Sequence, residues 1–144
     1  MDWLDYSTRL MNARWRGRKV TQLTIGGGVT VAWSQVGESG ARFRLEQGFE
    51  ISDARTGLVA AIEPAHLERG AQAFVDLIWA TVRAVRTEPG TVPIVEFEDG
   101  RTLRAGPHPT FESWSFVTDD RGLVVCMPGG EIAVWSPDGE RASS

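Results

Sequence analysis

No second cysteine accompanies Cys126, so an internal disulfide is excluded and a reducing compartment, the cytoplasm, is the expected location. Histidine is nearly as scarce. His66 and His108 are the only two, and with one thiol distant from both in sequence they do not supply zinc-ligand spacing. Neither a metal nor a cofactor is expected. No window reaches the ~18 consecutive apolar residues of a membrane span, and the acidic opening Met1-Asp2-Trp3-Leu4-Asp5 does not read as a secretory signal. Positive charge is short too: a net charge of -4 argues against general binding of nucleic acid, which needs a concentrated basic face.

That charge is uneven. Residues 1–44 hold seven Lys/Arg against three Asp/Glu, a balance of +4, whereas residues 45–144 hold eight against sixteen, a balance of -8. Arg14, Arg16, Arg18 and Lys19 read as the solvated basic end of a helix, where cations favour the dipole. Tryptophan is what the chain has in surplus. Six of them, Trp3, Trp15, Trp33, Trp79, Trp114 and Trp135, exceed what one core of 144 residues needs, so one or two are expected at a partly exposed interface.

The hydrophobic pattern predicts one α+β domain built on antiparallel meanders. Residues 1–16 have the spacing of a short amphipathic helix, ended by Gly17. Over 17–54 two β-rich runs flank Gly26-Gly27-Gly28, a turn is expected at Gly37-Glu38-Ser39-Gly40, and Arg42 to Glu46 alternates as a half-buried strand. Across 63–82 the residues Leu67, Ala71, Phe74, Val75, Ile78 and Val82 trace one face of a main amphipathic helix behind Pro64. A second meander and a C-terminal hairpin fill 82–136, punctuated by Pro89-Gly90, Asp99-Gly100 and Pro128-Gly129-Gly130, and 137–144 reads as a tail. The stretches 20–45 and 82–104 echo each other as three-stranded units.

Reactive chemistry finds little footing in these residues. The triple glycine precedes a strand and lacks the Gly-Lys-Ser/Thr sequence and helix of a phosphate loop. Cys126 lies in the apolar run Leu123 to Met127, where a thiol is a small core group. Glu96 and Glu98, two apart with Asp99 beside them, share the solvent side of a strand and form an acidic stripe able to steer a basic partner. His108, held between two prolines, is presented by a rigid loop.

The most specific signal is at the end of the chain. Phe111-Glu112-Ser113-Trp114, then Asp120-Arg121-Gly122 with the apolar run to Met127, then Pro128-Gly129-Gly130 and Ala133-Val134-Trp135, resembles the small bacterial proteins of domain of unknown function 6188. Gly17-Arg18-Lys19-Val20 and Phe97-Glu98-Asp99-Gly100 match more loosely, so the resemblance spans roughly 15–136, with 50–68 lengthened. It implies no known activity. By analogy it suggests a small non-catalytic domain of the kind found beside secreted toxins.

Three functional expectations follow. The first is a non-enzymatic, cytoplasmic protein-interaction domain, of the neutralising (immunity-type) or regulatory kind, that meets an unidentified protein partner through Trp114, Trp135, His108, Glu96, Glu98 and Asp99. The alternative is a small-ligand or enzymatic pocket that uses His108 with Glu112 or Asp119 between walls of Trp114 and Trp135. A homodimer formed through an open strand edge is a third expectation, since meanders that do not close leave backbone groups unpaired.

Overall fold

The computed structural model describes residues 2–35, 38–135 and 141–143. Helix α1 (Trp3–Trp15) is followed by β1 (Gln22–Ile25), β2 (Val29–Gln35), β3 (Glu38–Leu45), β4 (Phe49–Asp53) and β5 (Leu58–Ile62). Helix α2 (Ala71–Val75) then leads to β6 (Val82–Glu88), β7 (Val92–Phe97), β8 (Arg101–Ala105), β9 (Trp114–Thr118), β10 (Leu123–Cys126), β11 (Ile132–Trp135) and β12 (Arg141–Ser143). All strands pair antiparallel, in a seven-stranded sheet of order β1-β2-β3-β9-β10-β11-β12 and a five-stranded sheet of order β5-β4-β8-β7-β6. The fold is α+β, as the periodicity predicts.

The echo between the two meanders extends to topology. Each unit stays within one sheet and then sends its next strand to the other: β4 leaves β3 to pair with β8, and β9 leaves β8 to pair with β3. Register on both seams brings apolar residues opposite one another, Phe43 with Phe116 and Leu45 with Trp114 on one, Ile51 with Leu103 and Phe49 with Ala105 on the other. One-residue slips would turn these side chains to water, so the alternation itself specifies the pairing.

A single core draws on both sheets and on α1. The helix starts because Asp2 accepts hydrogen bonds from the N–H groups of Leu4 and Asp5, at 3.0 and 3.1 Å, satisfying two of its orphan donors. Ser7, Leu10, Met11 and Trp15 then fall on one buried stripe. Trp15 stacks on Trp33 with ring centroids 4.7 Å apart and packs beside Phe43 and Phe116. Half of the tryptophans are therefore core: Trp15, Trp33 and Trp114 are buried, Trp3 and Trp135 are half-buried, and Trp79 is the one exposed indole among the described residues.

The long helix expected over 63–82 is not formed. Pro64–His66 makes a 3-10 turn, α2 is only five residues long, and Val82 already belongs to β6. Gly70, at φ +85°, interrupts the run in the left-handed region that glycine enters at no steric cost, and Trp79 at φ +68° ends it. The segment also has to carry the chain from β5 to β6, the two edges of one five-stranded sheet. Four strand spacings amount to about 19 Å, less than the ~30 Å of a 20-residue helix, so a broken path fits where a straight helix overshoots. Phe74 stays inward against Phe49, whereas Val75, expected on the same face, is exposed.

Two smaller differences concern turns and tail. Gly37 of the expected second turn lies outside the described residues, and Glu38 is already in β3. Most of the tail does too, but Arg141–Ser143 pairs with β11 as a further strand. No helix among the described residues is long and apolar enough to cross a membrane.

Candidate functional site: an open sheet edge

The residues singled out from sequence do not converge. Trp114 is 1% exposed, its Nε1 donating to Thr91 O at 3.3 Å, so it belongs to the core and presents no surface; the expectation of an interface role is corrected by its inward register opposite Leu45. Trp135, half-buried on β11, is separated from Trp114 by β10 and not on an adjacent strand. His108 turns back on its own loop, where Nδ1 accepts from the N–H groups of Thr110 and Phe111 at 3.1 and 3.2 Å and the ring packs on Phe111. Asp119, a suggested partner for it, instead accepts from Gly40 N–H at 2.8 Å and faces Arg42.

The acidic stripe is largely neutralised. Glu96 is gripped by Arg86 at 2.6 Å and Arg83 at 2.9 Å, and those hydrogen bonds hold its carboxyl below the usual range. Asp99 is held the same way by Arg101 at 2.7 Å, while Glu98 stays exposed beyond the end of β7. Cys126 is buried, and burial pushes its thiol up, with Ser113 and Thr91 pulling the other way. His66 faces Glu68, and among the described residues the thiol's hydrogen-bond partner is Met127 O and not an imidazole. Among the described residues no cluster of three or more His, Cys, Asp or Glu side chains forms a metal site.

The specific motifs of the C-terminal third serve the fold. Gly129 and Gly130 take φ +82° and +95°, and a Cβ on Gly130 would come within 2.8 Å of Thr91 Oγ1, which itself donates to Gly130 O at 2.6 Å. Thr91 sits at φ +59°, a costly position for a β-branched residue, and is fixed there by that bond and by Trp114.

What remains unsatisfied is sheet edge, at β1 of the larger sheet and, with more exposed apolar surface, at β5 of the smaller one. At one side of the five-stranded sheet β6 is covered: Asn12 of α1 bonds both backbone groups of Val85, Thr8 Oγ1 meets Thr87 Oγ1 at 2.7 Å, and Lys19 bridges to Thr81. At the other side β5 has no such cover. Its residues pair with β4 over five consecutive positions without a bulge, and among the described residues no backbone–backbone bond outside that ladder reaches 58–62. Leu58-Val59-Ala60-Ala61-Ile62 carries no charge and no proline, the devices by which edges are usually blunted. Leu58 is 70% and Val59 63% exposed.

Clefts flank this strand. One of about 320 Å³ is lined by Leu58, Ala60, Ala73, Asp53, Asp76 and Arg101. Another, of about 430 Å³, is lined by Ala61, Phe49, Glu50, Glu63 and Arg104. The Glu63 carboxylate lies over Gly48, where a Cβ would come within 2.5 Å, so the glycine makes room for an acid at the end of β5. Arg101 donates to Asp76 O at 2.6 Å and so ties the end of α2 to β8 beside the first cleft. Sequence reading missed β5 altogether. Its signal was a five-residue apolar run between Gly57 and Pro64, short enough for a strand.

Fold and edge together define a two-sheet α+β domain with one protected and one open margin on its smaller sheet. The chain belongs to the family of unknown function DUF6188, whose model matches residues 11–136. No curated protein and no solved structure matches it.

Proposed function

We propose that this chain is a non-catalytic protein-interaction domain of the cytoplasm, acting on its partner in a neutralising or regulatory way by surface binding, and that its working surface is the edge of β5. The observation that carries the reading is the pairing of an unprotected backbone edge with the exposed side chains of Leu58 and Val59 on the same strand. Single exposed apolar residues such as Phe111, Val75 and Trp79 are ordinary on protein surfaces. An uncharged strand with free N–H and C=O groups is not, because it pairs with any extended segment that reaches it. The uncharged edge strand β1 carries one exposed large apolar residue, Ile25 at its end, whereas β5 carries two in succession. A lone, buried cysteine supports the cytoplasmic assignment.

Photo-crosslinking in the host tests this. A photoreactive residue at Val59 should yield a defined protein adduct that the same residue at exposed Glu112, in the loop before β9, does not. Equal labelling at both positions, or none at Val59, contradicts it.

A further inference from the structure

We propose that the occupant of the β5 edge is an extended segment of another protein whose side chains alternate basic and apolar, added to the five-stranded sheet as a sixth strand. The proposal rests on the interaction reading above and adds the chemistry of the partner.

Charge selects the basic side of that segment. The pleat sets Val59, Ala61 and Glu63 on one face, and the register with β4 puts Glu50 opposite Ala61. Glu63 reaches back over Gly48, so Glu50 and Glu63 are the two carboxylates of the cleft of about 430 Å³. Among the described residues neither has an ion-pair or hydrogen-bond partner, and the arginine of the same cleft, Arg104, pairs with Glu88 at 3.4 Å. Two like charges on one face without a counter-ion favour a cation. An added strand runs about 10 Å from β4, a gap that a lysine or arginine spans to Glu50 by passing over the small side chain of Ala61. Residues 58–62 of a second copy offer no such cation.

The opposite face selects the apolar side. Leu58 and Ala60 alternate with Val59 and Ala61, and with Ala73 they line the cleft of about 320 Å³. The charged groups of that cleft are already engaged: Asp53 with Arg55, Arg101 with Asp99, and Asp76 as acceptor from Gln72. What it leaves to a ligand is apolar surface. Arg69 is the one arginine or lysine of residues 46–81 without a carboxylate, against Glu50 and Glu63 together, so the margin stays acidic.

Fluorescence anisotropy tests this with two short labelled peptides, one alternating lysine and valine and the other alternating glutamate and valine. The full chain should bind the lysine peptide about tenfold or more the tighter, and added salt should weaken that binding. Glu50→Gln with Glu63→Gln should lower the affinity by about tenfold or more; both side chains are exposed, so the core is untouched. Val59→Pro removes an N–H that points away from β4, costs the ladder no bond, and should abolish binding. Where that variant misfolds, slower amide exchange at Val59 of the wild type on adding the lysine peptide reports the same contact. No binding of the lysine peptide, equal affinity for both peptides, indifference to the Gln pair or binding that survives Val59→Pro overturns the proposal. Each of these leaves the interaction reading to the Val59 crosslink, where an adduct of two copies, or with a segment lacking Lys and Arg, upholds that reading and overturns this one.

Discussion

The side-chain amide of Asn12 bonds both backbone groups of Val85: Nδ2 donates to Val85 O, and Oδ1 accepts from Val85 N–H at 2.7 Å. A side chain of α1 thus stands in for the missing neighbour of β6, which would otherwise be a free sheet edge. This is why the two margins of the small sheet differ.

Replacing Asn12 by Leu keeps the volume and removes both partners. The expected loss is about 2 kcal/mol or more, since each buried backbone group left unpaired costs about 1–3 kcal/mol. Urea unfolding of the variant checks it; a loss below about 0.5 kcal/mol would mean that water replaces the amide.

Gly130→Ala should destabilise by about 1–3 kcal/mol for the left-handed backbone alone, with the approach to Thr91 Oγ1 adding to it. Gly106→Ala is the control, because a Cβ there meets nothing and its φ is not in the left-handed range. Equal effects of the two substitutions on the thermal midpoint would contradict a structural role for the Pro-Gly-Gly turn.

Acid should loosen the protein. Glu96, held by Arg86 and Arg83, Asp99, held by Arg101, and Asp120, held by the Thr118 hydroxyl and Arg14, all have carboxyls below their ordinary range. A carboxyl lowered by folding binds its proton less readily in the folded chain than in the unfolded one. Its contribution is complete above the unfolded value of roughly 4 and disappears as pH falls through the folded value. The thermal midpoint should therefore be flat from neutral pH to about 5 and decline below it, less steeply in Glu96→Gln. A steeper decline in that variant would refute the assignment.

Trp79 combines an exposed indole with φ +68°. Trp79→Gly should leave stability unchanged or raise it by about 1 kcal/mol, as strain of that order is relieved. A marked loss in urea unfolding would show that the ring is packed.

Much of this fold is legible in the residues. Asp2 and the stripe ending at Trp15 announce α1, and Phe43, Leu45, Phe97 and Leu103 alternate as strands should. The local rules fail where pairing is decided at a distance. Leu58 to Ile62 has no alternation, because Ala60 and Ala61 differ little in polarity although they face opposite sides of the sheet, and nothing local says that β4 lies on one flank and nothing on the other. Over 63–82 the apolar spacing outweighed Gly70, whose left-handed turn depends on the crossing from β5 to β6. The tryptophan surplus pointed to an interface, yet Trp114 is core and Trp79 is exposed, a distinction made by register and backbone conformation and not by residue type.

Amide hydrogen exchange at Val59 and Ala61, alternate residues whose N–H groups point away from β4, examines the open margin most directly. Exchange should be fast at these two residues, while Val85, already covered by Asn12, stays protected. Slow exchange at Val59 and Ala61 would mean that the chain covers that margin itself and would contradict the open edge.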